Sequence, residues 1–228
     1  MTGGELDREV RAELRTLPTG LATLVARHLV MVGRLMDEDP ALAWQHAQAA
    51  RRSAGRVAAV REAAGVAAYL AGDYAAALSE LRAARRMSGT DAYLPIMADC
   101  ERGLGRPERA LELASSPQAR TLDRAGRVEL LIVAAGARRD LGQADAAVVM
   151  LEVPELKATT REPWLGRLRY AYADALDAVG RADEARTWFE AAAQADPDGS
   201  TGAAERLGLA DEDDDAVVFL VDLDEDGA

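Results

Sequence analysis

The residue types that most often carry chemistry are scarce in this chain. It contains two histidines, His28 and His46, and one cysteine, Cys100. No third ligand lies at the spacing of a zinc site, so we predict no bound metal. A single cysteine excludes an intramolecular disulfide, and we interpret Cys100 as a small buried residue on a helix.

Motifs that bind phosphate groups or hold a catalytic metal are missing from the sequence. It has no GxGxxG, no P-loop and no HExxH pattern. Carboxylate neighbours such as Asp123 and Glu129 are typical of a solvated helix face rather than of an acid–base pair. We therefore expect neither an enzyme nor a cofactor.

Two pairs of arginines form a sharper pattern. They lie 34 residues apart, which is one repeat length: Arg51, Arg52, Arg85 and Arg86. Stacked second helices would join them into a cationic ridge, with Arg56 and Arg82 beside it, that could dock an acidic segment. The alternative is an ordinary solvated face, neutralised by carboxylates such as Glu80 at helical spacing.

A turn signal recurs along the chain and defines the elements that position these side chains. Its glycines are separated by 33, 37 and 38 residues: Gly72, Gly105, Gly142 and Gly180. A fifth turn, Glu38-Asp39-Pro40, lies 34 residues before Gly72 when counted from Glu38. Five residues after every turn residue stands an alanine: Ala43, Ala77, Ala110, Ala147 and Ala185.

These positions have physical roles in a helical hairpin. Glycine ends the first helix because it adopts the left-handed conformation without a Cβ penalty. The small residue seven before the turn, such as Gly65, is expected to face the alanine five after it, such as Ala77, where the two helices cross. One hairpin cannot bury its apolar face, whereas stacked hairpins share a continuous core.

The best-matched unit carries Tyr172-Ala173, Leu176, Gly180 to Ala185, Phe189, Ala192 and Pro197. This unit resembles a tetratricopeptide repeat, and the unit around Gly65, Tyr69, Gly72 and Leu81 is similar to it. The whole chain resembles actinobacterial tetratricopeptide-repeat proteins of unassigned function. The resemblance implies an all-α fold, namely a right-handed α-solenoid of about five hairpins with capping helices at both ends.

The predicted organisation follows from the turns. A capping helix is expected within residues 1–23, where 5–15 are amphipathic, and another within 200–210. The solenoid covers 24–199, in units 24–57, 58–90, 91–127, 128–165 and 166–199. Pro117 and Pro154 are expected to shorten the second helices of the third and fourth units. Residues 211–228 form an acidic tail.

The resemblance also implies a concave groove lined by the first helices. Its predicted lining residues are His28, Glu62, Tyr69, Asp99, Arg102, Arg139, Arg167, Tyr170 and Asp174. We therefore interpret the chain as a non-catalytic scaffold or adaptor that binds a peptide or protein there. The aromatic residues would supply affinity, and Arg102, Arg139 and Arg167 would supply specificity.

Charge separates the alternatives. The net charge is −12, and the tail alone holds nine acidic residues and no basic one. An RNA-binding helical repeat is the alternative function, but a deficit of basic residues opposes it because phosphate contacts are cationic. The tail could instead occupy the groove or the ridge in cis. With no signal core and no long apolar run, we expect a cytoplasmic protein that does not contact membrane.

Overall fold

In the computed structural model, which describes residues 3–209, all regular structure is helical. This part contains twelve α-helices: α1 (Arg8–Leu14), α2 (Thr19–Leu35), α3 (Pro40–Ala54), α4 (Ala58–Leu70), α5 (Tyr74–Ser88), α6 (Leu94–Gly103), α7 (Pro107–Ala114), α8 (Arg124–Asp140), α9 (Ala144–Leu151), α10 (Trp164–Ala178), α11 (Ala182–Gln194) and α12 (Ala203–Arg206). Two short 3-10 helices, Pro117–Thr121 and Pro154–Lys157, follow α7 and α9. The all-α prediction is confirmed for these residues. Within them, no helix combines the length and the apolar character needed to cross a membrane.

The chain divides into two compact units, one ending at Gln143 and one beginning at Ala144. The residues predicted as the fourth repeat, 128–165, therefore divide between them, with α8 in the first unit and α9 in the second. In the first unit, α2 packs on α3, α4 on α5, and α6 on α7, while α8 packs on both α6 and α7. In the second unit, α10 packs on α11, and α9 and α12 pack on this pair.

The turns close in the way that the repeated glycines predict. Gly72, Gly105, Gly142 and Gly180 all have φ between +71° and +79°. In each case the next residue donates its amide to the carbonyl five positions earlier, as Asp73 does to Ala68 at 2.9 Å. The first turn lacks glycine, and Asp39 caps α3 instead by accepting the amide of Leu42 at 2.9 Å.

The prolines limit two second helices, as predicted. Helices α7 and α9 have eight residues each, against fifteen in α3 and α5. Pro117 and Pro154 then begin the two 3-10 segments, because a ring without an amide hydrogen fits the first turn of a helix and not its interior.

Close packing within the second hairpin involves the bulky residue nine after the turn as well as the predicted small residues. A Cβ placed on Gly65 would lie 2.5 Å from the side chain of Leu81, which stands nine residues after the turn. Gly65 therefore makes room for Leu81. Leu81 and Ala77 are both fully buried, and the bulky residue fills the space that glycine leaves.

The terminal segments are shorter than expected. Helix α1 starts at Arg8 and packs on α2 and α4, with Leu14 buried against Val25 and Leu29. Of the helix predicted within 200–210, only Ala203–Arg206 is helical, because Gly199, Gly202 and Gly208 adopt positive φ on either side of it. The predicted acidic tail, 211–228, and the idea that it binds in cis lie outside the described residues.

Candidate partner-binding groove

Three first helices of the first unit are joined by a row of polar contacts. The hydroxyl of Tyr69 on α4 donates to Asp99 Oδ2 on α6 at 2.6 Å. Arg102, one turn along α6, donates to Asp99 Oδ1 at 2.7 Å and to Asp140 Oδ2 at the end of α8 at 2.7 Å. The predicted groove residues Tyr69, Asp99 and Arg102 therefore share one face, and Asp140 completes the row.

The environment of Arg102 explains its protonation. Partial burial would lower the pKa of Arg102, but its hydrogen bonds and charge interactions with Asp140 and Asp99 outweigh burial and raise the pKa above its ordinary value. Helix α8 can approach this guanidinium because residue 136 is glycine, where a Cβ would lie 2.7 Å from Arg102 Cζ. Two carboxylates thus bind one guanidinium, so the cluster of Asp99, Arg102 and Asp140 carries a net negative charge.

Two tyrosines are held as neutral hydrogen-bond donors beside this row. Burial, and then the hydrogen bond with Asp99, raise the pKa of the Tyr69 phenol. Burial and the charge of Glu62 raise the pKa of Tyr93 to about 12, and its hydroxyl donates to Glu62 Oε2 at 3.2 Å. The predicted groove residue Glu62 is thereby linked from α4 to the residue that precedes α6.

An open cavity of about 530 Å³ lies against the row. Its walls are Tyr74, Asp99, Arg102, Gly103, Gly105, Pro107, Glu108 and Asp140. The wall carries three carboxylates and one guanidinium, and that guanidinium is already bound to two of the carboxylates. The cavity therefore presents net negative charge beside an aromatic ring, a combination suited to a positively charged group.

This geometry bears on the specificity role expected of Arg102. Asp99 and Asp140 offset the charge of Arg102 and accept three hydrogen bonds from its guanidinium, so Arg102 attracts an acidic group less strongly than an unpaired arginine would. Arg139, on α8, and Arg167, on α10, are exposed on helices of different units. Each of them takes part in a side-chain interaction, so neither is free.

The remaining predicted groove residues, Tyr170 and Asp174, lie on α10 in the second unit. The ring of Tyr170 packs edge-on against Phe189 of α11, with centroids 5.3 Å apart. The guanidinium of Arg206, on α12, lies 2.8 Å from Asp177 Oδ2 and 3.9 Å from Asp174 Oδ1. Its Cζ atom is 5.2 Å from the centroid of the Phe189 ring. The chain itself thus places an arginine on this part of α10 and α11.

The predicted cationic ridge is not a continuous positive surface. Arg51 pairs with Glu80 at 2.9 Å, and Arg85 pairs with Asp91 at 2.6 Å. Glu80 is only 3% exposed and also pairs with Arg61, so it joins α3, α4 and α5. Arg52 and Arg86 keep exposed positions on the same helices. The carboxylates that neutralise the ridge come from other helices or from the following loop, which sequence spacing on one helix does not reveal.

Arg82, which flanks the predicted ridge, is also paired with a carboxylate of another helix. Arg82 pairs with Glu101 of α6 at 2.7 Å, and Glu101 is 1% exposed. A buried carboxylate costs desolvation free energy that only a close countercharge offsets. Arg51, Arg82 and Arg85 therefore pair within the fold, and of the predicted ridge Arg52 and Arg86 keep exposed positions.

The two histidines form a pair that the sequence analysis missed. Their Nδ1 atoms lie 2.9 Å apart, across α2 and α3. One ring must donate and the other accept, so the acceptor is neutral. Partial burial lowers the pKa of His28, and the charges of His46 and Arg52 lower it further. The groove position predicted for His28 is thus directed at its own hairpin partner.

The described part of the chain contains no group of three or more histidine, cysteine or carboxylate side chains arranged to hold a metal ion. Cys100 is fully buried on α6, and burial with the charges of Asp99 and Glu101 raises its thiol pKa to about 12. Comparison of the chain with protein-family models, with curated proteins and with solved structures gave no match.

Proposed function

We propose that the helical hairpins are tetratricopeptide-like repeats of a right-handed α-solenoid, and that the chain is a non-catalytic scaffold whose first helices bind a partner peptide. The observation that supports this most is the row Tyr69–Asp99–Arg102–Asp140, because it aligns α4, α6 and α8 on one face. A cavity opens on that same face.

The charge of the face favours a basic partner segment. Three carboxylates and one guanidinium line the cavity, so their net negative charge would attract an arginine or lysine of the partner. Tyr74 adds an aromatic surface, whose ring lies against Gly103. An acidic peptide would meet like charge here.

The RNA-binding alternative has less support. Arginines that could contact phosphates, such as Arg51, Arg82 and Arg85, already pair with carboxylates inside the fold. Phosphate binding would have to compete with these ion pairs and would remove one countercharge from the buried carboxylate of Glu80 or Glu101.

Site-specific photo-crosslinking in the native host tests the scaffold proposal. A photoreactive amino acid replaces Glu108, which is exposed at the cavity, or Ser79, which is exposed on α5 and serves as the matched control. We expect a discrete crosslinked protein from position 108 and none from position 79. Identical crosslinking from both positions, or none from position 108, would contradict a partner in the groove.

A basic peptide library then tests the charge preference with the purified full chain. Binding should weaken as salt rises, because the cavity residues are solvent-accessible and exposed charges are screened. Asp140→Asn should reduce binding, whereas Glu112→Gln, which changes an exposed carboxylate of α7 that does not line the cavity, should not. Selection of acidic peptides would refute the preference.

A further inference from the structure

In the second unit a guanidinium already occupies groove positions. Arg206 reaches from α12 to Asp177 and Asp174 of α10, at 2.8 and 3.9 Å, and lies over the ring of Phe189. The two aspartates stand three and six residues before the turn glycine Gly180, which are the positions that Arg102 and Asp99 hold before Gly105. Two carboxylates and an aromatic face together form a receptor for arginine.

The segment that carries Arg206 is fixed by a hydrogen bond at its start, whereas most of its later side chains are at least partly exposed. Asp196 accepts the amide of Thr201 at 2.7 Å, which fixes the entry to α12. Helix α12 has four residues, and of these only Ala203 is buried. The side chains of Arg206 and Asp177 are 45% and 46% exposed. Leu209 is 66% exposed.

Replacing the contacts of Arg206 by those of another arginine should change the free energy of the fold only slightly. Exposed ion pairs contribute weakly to stability, since water solvates the separated charges well. Breaking them leaves no charge buried, in contrast to the pairs of Glu80 and Glu101, which are 3% and 1% exposed. Arg206 can therefore leave its position while α10 and α11 keep their packing.

We propose that the Arg206 segment is an internal occupant of the groove, and that an arginine-bearing segment of the partner replaces it on Asp174, Asp177 and Phe189. This inference rests on the proposed scaffold function and adds to it a ligand chemistry and a regulatory contact. Arginine is favoured over lysine because its planar group stacks on an aromatic ring while its edge bonds to carboxylates. Binding is autoinhibited, since the internal segment competes at the effective concentration that its short tether imposes.

The chain's own segment, supplied in trans, is the probe. An acetylated and amidated peptide of residues 201–209, TGAAERLGL, is titrated into the full-length protein and followed by NMR shifts of α10 and α11. A second peptide carries citrulline, the neutral isostere, in place of the arginine. Arg206→Gln removes the internal competitor, and Arg186→Gln on α11, whose side chain is 70% exposed, is the matched control.

We expect Arg206→Gln to bind the arginine peptide at least tenfold more tightly than the unaltered chain and the control variant do. The citrulline peptide should bind at least tenfold more weakly than the arginine peptide, and Asp177→Asn should lose that difference. Equal affinity for both peptides, equal affinity of the Arg206→Gln and unaltered chains, or no binding at all would overturn the inference.

Two further measurements keep the outcome interpretable. If Arg206→Gln unfolds the end of the chain, seen as faster hydrogen exchange in α11, then Arg206→Lys replaces it and should give an intermediate gain. Crosslinks at position 108 without arginine-dependent binding here would refute this inference and leave the scaffold proposal standing. Arginine-dependent binding without any crosslink at position 108 would refute a partner at the cavity of the first unit and leave the arginine site on α10 and α11 standing.

Discussion

The contact between Gly65 and Leu81 allows a direct test of how the second hairpin packs. A methyl group on Gly65 would lie 2.5 Å from the Cγ and Cδ2 atoms of Leu81, which is fully buried. Gly65→Ala in the unaltered chain therefore combines overpacking, at about 1–3 kcal/mol, with a gain in helix propensity of about 1 kcal/mol. We expect a net loss of about 0–2 kcal/mol in the free energy of unfolding.

The sign should change when Leu81 is shortened. Leu81→Ala alone leaves a cavity and should cost about 2–5 kcal/mol. In that background the two clashing carbons are gone, and of the three atoms nearest to the added methyl group the backbone nitrogen of residue 81 remains, at 3.2 Å. Gly65→Ala should then stabilise the protein by about 1 kcal/mol, so that the two substitutions couple by about 1–3 kcal/mol.

The assay is urea unfolding of the four chains, followed by far-UV circular dichroism. Because the protein has two compact units, hydrogen exchange of peptides covering residues 58–88 assigns the change to α4 and α5. Gly33→Ala is the matched control: it lies in α2, a Cβ there meets nothing within 4 Å, and it should stabilise both backgrounds equally. If Gly65→Ala had the same effect in both backgrounds within about 0.5 kcal/mol, the proposed packing would be refuted.

Three further outcomes follow from buried or paired groups. The pKa of His28 is lowered in the folded protein, so the unfolded chain binds a proton at this residue more readily, and stability should fall as the pH drops below about 6.5. His28→Gln should make the urea midpoint depend less on pH. An unchanged pH dependence would contradict this. Cys100 should resist a thiol reagent at pH 8 until urea unfolds the chain, because its pKa is about 12 and it is buried, and rapid reaction of the native protein would contradict this. Glu80→Ala should cost roughly 1–3 kcal/mol in urea unfolding, because two partly exposed arginines lose their shared carboxylate; Glu112→Ala is the exposed control, and equal costs would count against the argument.

The helical elements could be predicted because their signals are local. A glycine that ends a helix in the left-handed conformation acts through its own backbone, so the turns at Gly72 and Gly180 were predicted from single residues. The same holds for Pro117 and Pro154, whose rings limit the helices near them. The segment after α11 was predicted less well, because the short-range pattern of Ala203 to Leu209 suggested a longer helix than its flanking glycines permit.

The side-chain partners of the candidate site could not be predicted in the same way. Asp140 lies 38 residues from Arg102, and their pairing depends on how closely α8 approaches α6. His28 and His46, 18 residues apart, likewise meet only because α2 and α3 cross at that level. One signal was available: Gly136, a helical glycine without a turn role, marked the place where another group comes close.

Residue order alone therefore accounts for the helix ends at the four turn glycines and near Pro117 and Pro154, because backbone conformation responds to glycine and proline within a few positions. Which charges remain available to a partner was decided by tertiary packing. The interaction between two charges depends on their separation and burial, and both quantities exist only after the helices have packed. Arg102 was a candidate for binding an acidic group until the fold placed Asp99 and Asp140 around it.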